Sequence, residues 1–224
     1  MSIQINGNRC RERDAPSFDL RRILSHPLVY DLFIRMSGAR VARKKIVDKV
    51  VRPVPGMRIL DVGCGTGAIL DFLPETVAYV GFDVAPRYIE AAQRAYGARA
   101  RFFCASVSDA APLMTGTDPF DVAVLLGVLH HLNDGEIVKL MDDIGVLLKP
   151  GGVLVTGADP FWAPGQPWLE RFVAAHDRGA HVRTIDAYRA LIGRRFTVMD
   201  TPIIRGISFL PCGGVAIRAT KQQP

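Results

Sequence analysis

Apolar and polar positions alternate along the middle of the chain in short blocks that predict strands and helices in turn. Short apolar runs predict buried strands at 58–62, 77–82, 101–104, 120–127 and 153–157. Segments with helical spacing or helix-boundary residues predict helices at 39–51, at 66–73, from Pro86 to just before Gly97, and from Asn133 onward. This alternation predicts a parallel sheet covered by helices on both faces and joined by right-handed crossovers.

The C-terminal third has a different pattern. Residues 160–183 have no regular period and contain Pro160, Pro164 and Pro167, so we expect irregular structure there. A helix is predicted at about 185–192, and strands at 196–199 and 215–219 are separated by Gly and Pro as in a hairpin. The predicted fold class is α/β: a Rossmann-like open sheet, mostly parallel with an antiparallel C-terminal hairpin, and helices on both faces.

Composition predicts one cytoplasmic domain without a metal. The chain has 224 residues with 49% hydrophobic content, enough for a core of its own. Its four cysteines have no CxxC pair and no metal-ligand spacing, which favours reduced thiols and no metal. The polar first residues do not resemble a signal peptide, and the longest apolar run, 122–129, is too short to cross a membrane.

Charge is distributed unevenly along the chain. Residues 1–52 contain 12 Lys and Arg against 5 Asp and Glu, residues 53–150 contain 7 against 12, and residues 151–224 contain 9 against 5. The basic ends are compatible with an anionic substrate or partner, or with an ordinary solvated surface. A nucleic-acid partner is not expected, because aromatic residues do not alternate with the basic ones.

The segment ILDVGCGTG (59–67) places an acid, Asp61, ahead of three glycines. Ligands of open parallel sheets bind beyond the carboxyl ends of the strands, and glycine lets the backbone approach them closely. The spacing Gly63-x-Gly65-x-x-Ala68, with Asp83 at the end of the second predicted strand, also satisfies a dinucleotide fingerprint. A nicotinamide cofactor is therefore compatible with the glycines alone. The carboxylate of Asp61, however, would repel a diphosphate and instead favours a ligand with an ammonium group.

Four segments together resemble the class I S-adenosylmethionine-dependent methyltransferases of the small-molecule type. They are ILDVGCGTG (59–67), GFDVAP (81–86), FDVAVLLGVLHHL (120–132) and LLKPGGVLVT (147–156). The resemblance implies that S-adenosylmethionine is the cofactor and that S-adenosylhomocysteine is the product.

The resemblance also implies roles for individual residues in cofactor binding. The loop of Asp61, Gly63, Cys64, Gly65 and Gly67 would hold the methionine portion, with Asp61 near the amino group. Asp83 would accept hydrogen bonds from the ribose hydroxyls, Val84 would lie against adenine, and Gly127 would approach the cofactor through its backbone. Adenine would be recognised by Ser106, by the backbone of Val107 or by Asp109, and the residues leave this choice open.

Two adjacent histidines follow the fourth predicted strand, at the rim where the ligand is expected. Adjacent side chains point in different directions, so one of His130 and His131 is expected to pack and the other to face the cleft. The resemblance favours His131 as a general base, since a histidine can titrate near neutral pH. The alternative is a histidine that only shapes the wall of the site.

The acceptor pocket is expected from the N-terminal segment and from residues 160–183. Tyr30 is a candidate to close over the cofactor, or else a core aromatic. Asp159 and Trp162 follow the fifth predicted strand, near the expected acceptor. Arg178 and Arg183 are candidates to hold an anionic acceptor group, or else form surface ion pairs.

The expected activity is methyl transfer to an oxygen or nitrogen of a small molecule. The alternatives are an NAD(P)-dependent oxidoreductase, an RNA or protein methyltransferase that uses the basic termini, and a cofactor-binding protein without catalysis. The predicted single domain comprises an N-terminal helical cap (1–52), a cofactor-binding core (53–158), a substrate-side insertion (159–195) and a closing β-hairpin (196–224).

Overall fold

The computed structural model describes residues 39–114, 118–177, 179–205 and 213–222. Most of the predicted N-terminal cap lies outside these residues, as do two candidate acceptor residues, Tyr30 and Arg178. Within the described residues, no helix has both the length and the apolar character needed to cross a membrane.

The described residues contain ten strands, eight of which form one large sheet. The strands are β1 (Arg58–Val62), β2 (Ala78–Asp83), β3 (Ala100–Cys104), β4 (Phe120–Leu126), β5 (Leu148–Asp159), β6 (Phe161–Trp162), β7 (Arg183–Thr184), β8 (Phe196–Asp200), β9 (Ile203–Arg205) and β10 (Gly213–Lys221). The order across the large sheet is β3-β2-β1-β4-β5-β10-β8, and β9 also pairs with β10. Strands β6 and β7 pair separately.

Strand directions confirm the predicted α/β sheet. The pairs β1–β2, β2–β3, β1–β4 and β4–β5 are parallel. Strand β10 runs antiparallel to β5, β8 and β9. The strand order reverses between β1 and β4, since the chain first builds outward to β3 and then continues from β4 on the other side of β1. Ligands of open α/β sheets bind beyond the carboxyl ends at such a reversal, so the expected site lies there.

Helices cover both faces of the sheet. They are α1 (Ala39–Ile46), α2 (Pro86–Tyr96), α3 (Val107–Met114), α4 (Asp134–Leu147), α5 (Trp168–Ala175) and α6 (Ile185–Ile192), with a π-helical turn at Val47–Val51 and 3₁₀ turns at Ala68–Phe72 and Leu129–His131. The β1 neighbours Ile59 and Leu60 lie in two different apolar clusters, because successive strand side chains point to opposite faces. Ile46 and Ile89, from α1 and α2, pack with Ile59, and Ile137 from α4 packs with Leu60.

The helix α4 begins with a capping box, at the residue where the sequence predicts its start. Asn133 Oδ1 accepts from the Glu136 backbone N–H at 3.0 Å, and Glu136 Oε2 accepts from the Asn133 N–H at 2.8 Å. These reciprocal bonds satisfy two backbone donors that the first helical turn otherwise leaves open.

The predicted helix at 66–73 is only a 3₁₀ turn at Ala68–Phe72. Gly67 precedes it with a left-handed φ of 73°, and Leu73 is already extended in front of Pro74. A residue before proline avoids the helical region, so the segment is too short for a cooperative α-helix.

Strand β5 and the following segment are more regular than predicted. Strand β5 begins at Leu148 rather than at 153, because Leu148 already pairs with Phe120 of β4. The residues between Leu148 and Val153, which include the predicted glycine turn, form an irregularity in the pairing of β5 with β4. Residues 160–183 also contain the helix α5, which was not predicted because the prolines indicated irregular structure. Pro167 directly precedes this helix, and proline is tolerated at a helix N-terminus. Strand β9 was also not predicted.

The cysteines are only partly as expected. Cys64 carries a free thiol, whereas Cys104 is disulfide-bonded, so the prediction of reduced thiols is wrong for Cys104. The spacing of cysteines in a sequence does not reveal which of them a fold brings together.

Candidate functional site

The loop after β1 has a backbone that only glycine adopts readily. Gly63, Gly65 and Gly67 have φ values of 75°, 54° and 73°, in the left-handed region that penalises other residues. A Cβ atom on Gly63 would lie 2.6 Å from Val128 Cγ2, and one on Gly67 would lie 3.0 Å from the Phe102 ring. A Cβ on Gly65 would meet nothing within 4 Å. The loop is therefore packed tightly at both ends and bare at its centre.

Asp83, the last residue of β2, joins this loop to the next one. Its Oδ2 accepts from the Gly65 N–H and its Oδ1 accepts from the Ala85 N–H, both at 2.9 Å. Burial raises the pKa of Asp83, while these backbone hydrogen bonds oppose that rise. Because an ionised carboxylate oxygen can accept more than one hydrogen bond, Asp83 is fixed in place and still able to bind further hydroxyl groups.

Asp61 lies near the end of β1 and is 4% exposed. Its Oδ2 accepts a hydrogen bond from the Tyr79 hydroxyl at 2.5 Å. Burial raises the pKa of Asp61 to about 7, although the Tyr79 bond and the positive charge of Arg43 act in the opposite direction. Asp61 is therefore a carboxyl group that a cationic ligand would bring to full ionisation.

The segments after β2 and β3 contain the candidates for adenine binding. Val84 is 66% exposed directly after Asp83. The Ser106 hydroxyl donates to Asp109 Oδ2 at 2.7 Å and accepts from the Asp109 N–H at 3.2 Å, so it caps the start of α3. The Val107 side chain is buried. Ser106 and Asp109 thus form one bonded pair, and the choice between them stays a prediction.

At the end of β4, Gly127 has a left-handed φ of 69°. Its N–H donates to the Gly157 carbonyl of β5 at 2.7 Å. This bond holds the ends of β4 and β5 together on the same rim as the glycine loop.

The two histidines that follow have different environments. His130 is buried, with Nδ1 at 2.8 Å from Asp159 Oδ1 and Nε2 at 3.2 Å from Asp177 Oδ1. A neutral imidazole has one N–H, so two carboxylate contacts require either an imidazolium or a protonated carboxyl. Burial raises the pKa of Asp159, which favours its protonated form. His131 is exposed, and its ring centroid lies 4.0 Å from that of His130.

Arg183 fastens the acceptor-side segment to the rim. Its guanidinium donates to Asp134 Oδ1 at 2.7 Å and to the carbonyls of Leu129, Leu132 and His181 at 3.2, 2.7 and 2.8 Å. The Arg183 side chain is only 10% exposed. Its donors are thus used within the protein, which argues against the predicted role in holding an anionic acceptor.

The fold brings the predicted residues together in two groups. Asp61, the glycine loop and Asp83 lie at the ends of β1 and β2, and Gly127, His130 and Asp159 lie at the ends of β4 and β5. Trp162 is half-buried in β6, where it pairs with Thr184. Sequence reasoning missed Tyr79 and Asp177, since no local pattern distinguishes a buried tyrosine or a loop acid from its neighbours.

Comparison with known proteins gives the family of the core. A family described as a methyltransferase domain matches residues 60–154. A ubiquinone biosynthesis O-methyltransferase of Methylocella silvestris is 33% identical over 104 residues, which is 46% of this chain and 40% of that protein. A phosphoethanolamine N-methyltransferase of Triticum aestivum is 27% identical over 185 residues, or 80% of this chain and 35% of that protein. The chain thus spans less than half the length of either relative.

A solved structure matches over most of the chain. The N-methyltransferase NodS from Bradyrhizobium japonicum, in complex with S-adenosyl-L-homocysteine, superimposes with a TM-score of 0.60 at 18% identity. The match covers 92% of this chain and 94% of NodS. Similarity at this level concerns the fold, which is that of the class I methyltransferases.

Proposed function

We propose that the chain is an S-adenosylmethionine-dependent methyltransferase that methylates an oxygen or nitrogen of a small molecule, as the methyltransferase-domain match at residues 60–154 supports. S-adenosylhomocysteine would be released as the product. Similarity to a ubiquinone biosynthesis O-methyltransferase and to a phosphoethanolamine N-methyltransferase supports both acceptor atoms.

The bridge between Asp83 and the glycine loop is the observation that carries this proposal. One carboxylate holds the N–H groups of Gly65 and Ala85 and stands beside the bare centre of the loop. Two adjacent ribose hydroxyls would find a fixed acceptor there. A diphosphate would meet negative charge from both Asp83 and Asp61, so the site suits an adenosyl sulfonium better than a dinucleotide.

Further residues of the site fit the other parts of the cofactor. Asp61 would bind the ammonium group, with Cys64 beside it in the loop. Val84, exposed at the rim, would cover one face of adenine, and the paired Ser106 and Asp109 would lie at its edge, with the Val107 backbone. The backbone of Gly127 would pass close to the cofactor at the end of β4.

When bound, the cofactor supplies an activated methyl group on its sulfonium. The task of this chain is then to hold the acceptor in line, an effect worth effective molarities of roughly 10⁵–10⁸ M. We assign the exposed His131 as the group that accepts a proton from the acceptor, and the buried His130 as the group that holds the surrounding wall. Asp159 and Trp162 would line the acceptor side, and Arg183 would tether it.

Transfer of a labelled methyl group tests the proposal. The protein is incubated with methyl-labelled S-adenosylmethionine and two acceptor sets, one of phenols and one of primary amines. Label in a phenol or an amine is the expected result and identifies the acceptor atom. Binding of NADH in place of S-adenosylhomocysteine would overturn the proposal in favour of an oxidoreductase, and label only in RNA or protein would overturn the small-molecule acceptor.

A further inference from the structure

Asp61 and Tyr79 form a buried pair beneath the glycine loop. Asp61 of β1 pairs in register with Gly81 of β2, and Tyr79 lies two positions earlier on the same strand, so their side chains share a face. The Tyr79 hydroxyl reaches forward to Asp61 Oδ2 at 2.5 Å. Tyr79 is 3% exposed and Asp61 is 4% exposed. A Cβ on Gly81 would lie 2.8 Å from Cys64 Sγ, so the thiol occupies the space over that glycine.

We propose that Tyr79 is the positioning residue for Asp61, and that its hydroxyl favours the ionised form of this carboxyl and aims it at the ammonium group of the cofactor. The proposal rests on the proposed function, since it assigns Asp61 to that ammonium group. It makes cofactor binding release a proton, because the carboxyl is partly protonated before the ligand arrives.

The groups around Asp61 have opposite effects on the pKa of its carboxyl group. Burial is the largest influence and disfavours its ionised form, and the negative charge of Asp83 acts in the same direction. The Tyr79 hydrogen bond and the positive charge of Arg43 from α1 favour the ionised form. The Cys64 thiol stays protonated, since burial and both carboxylates raise its pKa. Tyr79 is therefore the one neutral donor among these neighbours that is bonded to Asp61 in the described residues.

The consequence is a specific pH dependence. With the pKa of Asp61 near 7, a growing fraction of the free protein carries a neutral carboxyl as the pH falls below that value. Affinity for a ligand with an ammonium group should then fall with it. Loss of the Tyr79 hydrogen bond raises the pKa further, and each unit of that shift lowers the ionised fraction about tenfold on the acid side.

The wild-type protein allows a test without any substitution. S-adenosylhomocysteine and 5′-methylthioadenosine, which lacks the amino acid portion, are titrated by calorimetry from pH 5.5 to 7.5 in two buffers of different ionisation enthalpy. We expect proton release and rising affinity with pH for S-adenosylhomocysteine only. Equal pH dependence for both ligands, or none for either, overturns the proposal. Failure of both ligands to bind would instead refute the proposed function.

Three variants then isolate the hydroxyl. Tyr79→Phe should weaken S-adenosylhomocysteine binding about tenfold at pH 6.5, move the midpoint of the pH dependence upward and leave 5′-methylthioadenosine unaffected. In an Asp61→Asn background the same substitution should have no effect on either ligand. Tyr96→Phe is the matched control, because the Tyr96 hydroxyl donates to Asp71 at 2.8 Å on the surface. An unshifted midpoint in Tyr79→Phe, or equal losses for both ligands, would reduce Tyr79 to a packing residue and overturn the proposal.

Discussion

His130 Nδ1 lies 2.8 Å from Asp159 Oδ1, joining the turn after β4 to the end of β5 inside the protein. The same imidazole reaches Asp177 through Nε2, so it joins the rim to the segment that follows α5. A Cβ on Gly179 would clash with this ring, because the segment that contains Gly179 packs directly on it. His130 is therefore placed to hold the acceptor side together.

We expect His130→Ala to destabilise the protein by about 1–3 kcal/mol, because it leaves the buried carboxyl of Asp159 without its hydrogen-bond partner. Urea unfolding at pH 7 measures the loss. His176→Ala is a suitable control, since that exposed side chain bonds the nearby carbonyl of Phe172 and stacks on its ring. A loss no greater than that of the control would show that the His130 contacts contribute little.

His131→Ala should slow turnover and leave the stability of the protein nearly unchanged. The side chain is exposed, so stability should change little, whereas a lost general base slows turnover by roughly 10²–10⁴-fold. S-adenosylhomocysteine affinity should remain that of the wild type. Steady-state rates with the acceptor identified by label transfer provide the measurement. Wild-type turnover in this variant would remove His131 from the chemistry.

Gly63→Ala should abolish cofactor binding and destabilise the loop. The new Cβ would clash with Val128, and the left-handed φ alone costs roughly 1–2 kcal/mol for a residue with a side chain. Gly145→Ala is the matched control, because that helical glycine has open space around it and alanine should stabilise α4 by about 0.5–1 kcal/mol. Adding Val128→Ala to Gly63→Ala should restore part of the stability. No recovery would mean that the contact with Val128 is not the cause.

Asp61→Asn should raise the stability of the ligand-free protein at neutral pH. The pKa of Asp61 is raised from 3.8 to about 7, so folding disfavours the ionised form. This penalty is absent below pH 3.8, grows as the pH rises, and is complete above about 7. The variant should thus gain at most about 4 kcal/mol at pH 8, and the gain should fade towards pH 4. Chemical unfolding across this range tests the sign. A less stable variant at pH 8 would contradict it.

The parts of the site that were predictable are those with a local signature. Gly63, Gly65 and Gly67 indicate a turn, because only glycine readily adopts the backbone conformation that the turn requires. Asp83 was predictable because it follows Gly63 by 20 residues, at the end of the second predicted strand. The capping box at Asn133 is equally local. Most strands of the sheet were also predictable from local sequence, since they are short apolar runs between glycines and prolines.

The other parts depend on contacts that the sequence does not encode locally. Tyr79 and Asp61 meet only because β1 and β2 are in register, and His130 meets Asp177 only because the segment after α5 folds back on β4. Both contacts are properties of packing between distant segments. Arg183 was a candidate for anion binding because charge is visible in a sequence, whereas the carbonyls that occupy its donors are not.

Calorimetric titration of S-adenosylhomocysteine into the wild type and Asp83→Ala tests the central claim most directly. If Asp83 holds both the loop and the ribose, the variant should lose at least about hundredfold in affinity, because hydrogen bonds to a charged group are each worth about 1.5–3 kcal/mol. Asp186→Ala, at an exposed carboxylate in the first turn of α6, should bind as the wild type does. Unchanged affinity in Asp83→Ala would contradict the account.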